Sequence, residues 1–242
     1  DIVGVGIGTG GQIDHHTGTV IGSVNAKSPW IGVQLEEIVM ERLEMPVLVD
    51  NDGNCTALGE MMFGAAKDVR DFICLAIGTG IGGAIVQGHR IHHGRSGSAG
   101  ELGHMSIDLN GAKCSCGHRG CLELYASGTG IARRARQRIA EGAQTSLTKM
   151  GQVDLMDIRS EEVFTHAAAG DPFCLELIEE TGYILGCAIT TLLNIFNPEK
   201  ILLGGGVSTQ GEILIRPIRE TVMKTCMPVP RLATIQGTEL GE

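Results

Sequence analysis

Two hydrophobic rhythms alternate along this chain. Short apolar runs end in glycine, and longer segments carry apolar residues at helical spacing. Residues 2–7 read as a strand running into Gly8-Thr9-Gly10-Gly11, and 17–24 as a second extended stretch. From Val33 to Leu43, apolar Val33, Ile38 and Leu43 stand among charges, which predicts an amphipathic helix that Pro46 ends. Val47-Leu48-Val49 is a short buried strand, 51–54 a turn, and 55–63 a helix. Phe72 to Ile77 is a strong strand that leaves its glycine turn as another, Ala84 to Val86. Helices are predicted over 131–140, 161–169, 173–196 and 211–225, with a polar stretch from 140 to about 160. Pro198 stops the third of these, and 200–203 is a strand ending in Gly204-Gly205-Gly206. Strands and helices mixed in this way, with glycine loops at strand ends, give an α/β fold class. A weak internal echo links the strand-and-glycine pattern at 5–11 with that at 76–83.

With 242 residues, 43% hydrophobic and 19% charged, the chain can bury a sizeable core and forms one or two domains. Aromatics are only 3%, so the core must be aliphatic. A net charge of -9 argues against non-specific nucleic-acid or anionic-membrane binding, which needs a basic field. No signal peptide is visible, and the most apolar run, 183–196, is too short to span a bilayer. The expectation is a soluble cytoplasmic protein with no nucleic-acid or membrane partner. The chain opens inside a strand-like run at Asp1 and stops at Gly241-Glu242, so a fragment, or the ordered part of a longer chain, is expected.

Candidate chemistry concentrates between Glu101 and Glu123. His104, Cys114, Cys116 and Cys121 offer one imidazole and three thiolates, a set that suits tetrahedral zinc. Gly117 and Gly120 allow the tight turn that aims several sulfurs at one point. Four protein ligands leave no open position for a catalytic water, so such a metal is structural. Disulfides or inert thiols are the alternative. The other five cysteines, Cys55, Cys74, Cys174, Cys187 and Cys226, are scattered in apolar contexts and read as reduced core thiols. Gly78-Thr79-Gly80-Ile81-Gly82-Gly83 matches G-x-G-x-x-G but continues into a strand, so it is a hairpin tip rather than a dinucleotide fingerprint. Its backbone N–H groups suit phosphate oxygens. Asp52, after the strand at 47–49, is placed to accept a proton from a hydroxyl with Asn51 orienting it; helix capping is the competing reading of both.

These pieces together resemble the ROK family of sugar kinases and related repressors. The residues that carry the likeness are VDNDGNCTALGE (49–60), LAIGTGIGGAIVQG (75–88), GELGH (100–104), CSCGHRGCLE (114–123) and ILLGGGVS (201–208). The resemblance implies an actin-like ATPase (ribonuclease H-like) fold of two lobes, with residues 1–50 the rest of the first lobe and 51–242 the second, and zinc bound by loop 104–121. It implies a Mg2+- and ATP-dependent, glucokinase-like transferase acting on the 6-hydroxyl of glucose or a similar sugar. Asp52 is then the general base. Gly11, Asn51, Asp52, Glu101, His104 and Glu123 face the sugar, and His104 also joins Cys114, Cys116 and Cys121 on a structural Zn2+. Gly78, Thr79, Gly80, Gly82 and Gly83 match a phosphate loop, and Gly204, Gly205 and Gly206 the adenosine region. A homodimer or higher homo-oligomer is implied as well. The family's first phosphate motif, of DxGGT type, is expected upstream of residue 1, and a helix beyond 242. Within the likeness, an N-acetylmannosamine kinase is the first rival and a sugar-sensing repressor the second; an NAD-dependent oxidoreductase is the weakest reading.

Overall fold

The computed structural model describes residues 2–23, 28–148 and 155–240. Position 24 of the second extended stretch, positions 149–154 of the polar stretch and the ends of the chain lie outside them. The elements run β1 (Val5–Thr9), β2 (Gln12–Asp14), β3 (Thr19–Gly22), α1 (Leu35–Leu43), β4 (Val47–Asn51) and α2 (Asp52–Phe63). Then follow β5 (Phe72–Ile77), β6 (Ile81–Gln87), β7 (Arg90–Ile91), α3 (Glu123–Ala126), α4 (Gly128–Ala140), α5 (Ser160–Ala168), α6 (Pro172–Phe196), β8 (Lys200–Gly204), α7 (Glu212–Thr225) and β9 (Thr234–Gly237).

The main sheet has the order β7-β6-β5-β8-β9. β5 pairs antiparallel with β6 and parallel with β8, whose other neighbour β9 is also parallel. Strand alternation splits its side chains between two cores. Ile73, Leu75, Ile77, Ile201 and Leu203 face α4 to α7, while Phe72, Cys74 and Leu202 face Ala57 of α2. A third, small core joins Ile13, Val20, Val47 and Val49, from the hairpin β2–β3 and the parallel pair β1–β4. The α/β class read from the pattern is the observed one, and α2 connects its parts, packing on both β4 and β5.

Several details depart from the expectation. The turn at 51–54 is the first turn of α2, because the Asn51 side chain caps it by accepting the Gly53 N–H at 2.9 Å. In α1 the residues that meet the small core are Leu35 and Val39, spaced i, i+4; Ile38 and Leu43 are exposed. The internal echo dissolves: β5 and β6 form a hairpin, whereas β1 pairs with β4 and β2 with β3. No helix among the described residues is long and apolar enough to cross a membrane.

Candidate functional site

The C-terminal end of β4 delivers three successive polar residues. Asp50 accepts from its neighbour's N–H and from Asn54 Nδ2, so it braces the start of α2. Asn51 is doubly engaged: its Oδ1 caps α2, and its Nδ2 donates to the Gly11 carbonyl at 3.0 Å. It therefore pins the Gly10-Gly11 loop to the helix start. Asp52 follows as the first helical residue, exposed, with Oδ1 accepting the Gly53 N–H at 2.8 Å. Its Oδ2 is the oxygen nearer Gly10, about 4.0 Å from the point where a Cβ on that glycine would stand.

Across from it lies the segment that holds the cysteines. The chain leaves a 310 turn, Leu102–His104, and returns through bridges pairing Ser106 with Cys121 and Lys113 with Arg119. Gly120 takes φ +66 where any Cβ would strike the Asp108 carbonyl, so the return can pass only as glycine. The ligand atoms of His104, Cys114, Cys116 and Cys121 all lie within 4.8 Å of one another. Cys116 and Cys121 sulfurs are 3.5 Å apart, and His104 Nδ1 is 3.7 Å from Cys114 Sγ. A disulfide needs about 2.05 Å, and all eight cysteines are free. Two thiolates on a tetrahedral zinc with bonds of about 2.3 Å sit roughly 3.8 Å apart, so the donor set fits that ion. Burial, helped by the Cys116 and Cys114 sulfurs, pushes the Cys121 thiol up to about 12. A dication is the group that makes such a buried thiol a thiolate. With Nδ1 turned to the sulfurs, Nε2 of His104 is left on the Glu101 side, 4.0 Å from that carboxylate. Glu123 Oε1 lies 3.5 Å from His104 Nδ1, and its Oε2 reaches toward Gly80.

A cavity of about 410 Å³ brings these parts together. Its walls include Gly11, Asn51, Asp52, Glu101, His104 and Glu123, all of the residues that the likeness turned toward the sugar. Gly78, Thr79, Gly80, Gly82 and Gly205 also line it. A second cavity, of about 430 Å³, begins at the same Gly78 and Thr79 and runs past Gly128, Thr129, Arg136, Arg159 and Gly206. Gly205 (φ +82) sits on the end of β5, where an added Cβ would stand 2.6 Å from the Ile77 carbonyl oxygen. Two predicted glycines lie elsewhere. Gly83 is inside β6, buried against Leu102, and Gly204 ends β8 against Thr238; neither is in the walls of these two cavities, because strand alternation turns them away.

The sequence reading missed the start of α4. That helix begins at Gly128, three residues before the expected point, with Ser127 as its cap accepting the Gly130 N–H. Gly128 N–H donates to the Gly78 carbonyl at 2.8 Å and Thr129 Oγ1 to the Thr79 carbonyl at 2.7 Å. The hairpin tip and a helix N-terminus are thus fused between the two cavities, an arrangement that favours anions. The Ser127 cap before Gly-Thr-Gly was the available signal.

The model of the ROK family matches residues 1–236. Glucokinase of Halalkalibacterium halodurans is 40% identical over 233 residues, covering 94% of this chain and 68% of that protein. Xylose repressor of Caldicellulosiruptor bescii is 35% identical, covering 91% of this chain and 54% of the repressor. Among solved structures, a ROK family glucokinase from Streptomyces griseus in complex with glucose and AMPPNP superposes with a TM-score of 0.88 at 34% identity, covering 100% of this chain and 78% of that one.

Proposed function

The chain belongs to the ROK family, and we propose that it is an ATP-dependent sugar kinase acting on the 6-hydroxyl of glucose or a similar hexose. The observation that carries this reading is the meeting of two cavities at Gly78 and Thr79, one walled by carboxylates and the other opening past a helix N-terminus and two arginines. Phosphoryl transfer needs that plan: an acceptor site with a base, a polyphosphate site with backbone donors, and a shared boundary where the γ-phosphate lies.

In this reading the sugar occupies the first cavity, its ring hydroxyls facing Glu101, His104 Nε2 and Glu123. Asp52 Oδ2 accepts the proton of the attacking hydroxyl, while the Gly53 N–H bonded to Oδ1 fixes the carboxylate's direction. ATP occupies the second cavity, its phosphates against the 78–80 tip and the start of α4, and its adenosine toward Gly205-Gly206. Mg2+ would travel with the triphosphate and neutralise its charge, since such ions are held by few carboxylates and by substrate phosphates. Zn2+ on His104, Cys114, Cys116 and Cys121 would fix the loop between Glu101 and Glu123. The lobe boundary then falls at 50/51, at the entry to α2.

A second reading has its own observation. The first cavity continues into a third, of about 360 Å³, sharing Gln12, Ser23, Glu101 and His104 and adding Ser115, Cys116 and His118. That polar annex supports room for a 2-acetamido group, and hence an N-acetylmannosamine kinase. A coupled ADP-release assay with glucose, fructose, mannose and N-acetylmannosamine decides between them. Highest kcat/KM on glucose or another plain hexose is expected. Highest kcat/KM on N-acetylmannosamine transfers the assignment, and sugar binding without ADP release with any of the four makes the chain a sensor.

A further inference from the structure

The site depends on two segments that are far apart in sequence: the β4–α2 junction with Asp52, and the 92–104 loop with Glu101. One side chain joins them. His93 Nε2 lies 2.7 Å from Asp50 Oδ2, with both side chains about three-quarters or more buried. Asp50 is the residue whose other oxygen accepts the N–H of Asn51 and the Nδ2 of Asn54. His93 therefore holds the carboxylate that braces the start of the Asp52 helix.

The imidazole is also fixed from its face. His15, in the turn of the β2–β3 hairpin, stacks on it with ring centroids 3.8 Å apart and planes 6° from parallel. Burial, then His93 and His16, lower the His15 pKa, which favours the uncharged form of the stacked His15 ring. The groups around the pair are Asp50 on β4, Asp14 and His16 on the hairpin, and His15 itself. The loop after His93 is short and closed: Ala99 N–H donates to the His93 carbonyl, and Gly97 packs against the Ile13 carbonyl. Glu101 follows two residues after Ala99. Little slack separates the His93 anchor from the Glu101 carboxylate.

We propose that His93 is a positioning residue: its hydrogen bond to Asp50, braced by the stack on His15, holds the Glu101 loop in register with the Asn51-Asp52 helix start and so sets affinity for the acceptor sugar. The inference rests on the sugar-kinase reading, in which Glu101 and Asp52 grip one molecule. His93 does not touch that cavity, and its effect on nucleotide binding is nil because the 78–80 tip is held by α4 instead.

The test compares two variants that separate the bond from the ring. His93→Phe keeps a ring to stack on His15 and loses the donor; His93→Gln keeps an N–H donor and loses the stack. Sugar KM, ATP KM, kcat, zinc content and direct sugar affinity by calorimetry are measured for each. His93→Phe is expected to raise sugar KM and calorimetric Kd about tenfold, the scale of losing a hydrogen bond to a charged group, with ATP KM and zinc unchanged. His93→Gln is expected to recover most of that loss. Sugar affinity within twofold of the parent in His93→Phe overturns the proposal. So does a loss of sugar and ATP affinity together, or failure of both variants to fold, since either makes His93 a general fold residue. If the parent protein phosphorylates no sugar yet His93→Phe weakens sugar binding, the kinase reading falls and the positioning role stands.

Discussion

At the residue scale, Asn51 and Asp52 show how much one position matters. The sequence offered both as site residues or as helix caps, and each turns out to be partly a cap. Asn51 lines the cavity while its Oδ1 caps α2 and one Nδ2 proton holds the Gly11 loop, whereas Asp52 keeps its Oδ2 on the cavity. No spacing argument could separate them, because the difference lies in which carbonyl the Asn51 amide finds forty residues away. The cysteine cluster was the opposite case. Its residue types alone indicated tetrahedral ligation, and the structure brings all four donor atoms together. We expect one zinc per chain by atomic emission. Cys121→Ser should lose that ion and weaken sugar affinity about tenfold or more, since ligand loss frees the loop holding Glu101 and Glu123. Wild-type sugar affinity in zinc-free protein would contradict the role given to the metal.

At the element scale, buried strands and long helices were legible. β5 alternates between two cores, and α6 is apolar over most of its surface. Weak elements were not. β9 has a single buried residue, Ile235, so no period marks it. The beginning of α4 was hidden by its glycines, which lower helix propensity but let the helix end approach the 78–80 tip. α6 has a cap that can be tested. Asp171 accepts from the Cys174 N–H, the Thr145 hydroxyl, and both the N–H and hydroxyl of Ser146. Burial opposes its ionised form, but those hydrogen bonds outweigh burial and hold its carboxyl well below the usual range. The sign follows: a depressed folded pKa gives stability that is complete above the ordinary carboxylate value, about 3.9, and fades as pH falls toward the folded value. Asp171→Ala should cost about 2 kcal/mol at pH 7 by urea unfolding, at the upper end for caps. The gap between the two proteins should narrow below about pH 4; a gap independent of pH would mean that the charge contributes nothing.

At the scale of the whole molecule, the fold brings two cavities to one boundary. The first gathers its walls from β2, the β4–α2 junction, the β5–β6 hairpin and the cysteine segment; the second from α4, α5 and the loop after β8. Sequence pattern predicted the α/β layers, because alternation and helical period are local. It did not predict which loops would converge, since convergence is set by long-range contacts such as Thr129 to Thr79 and His93 to Asp50. Here a kinase and a sugar sensor differ, because both need the acceptor cavity and only the first needs transfer across the boundary. The decisive measurement is steady-state ADP release with saturating ATP, Mg2+ and glucose, run beside Asp52→Asn, with glucose affinity measured on both. We predict turnover of about 1 per second or faster, a fall of about 10²–10⁴-fold in Asp52→Asn, and unchanged glucose affinity. Turnover in the parent no faster than in Asp52→Asn, with glucose bound equally by both, would contradict it.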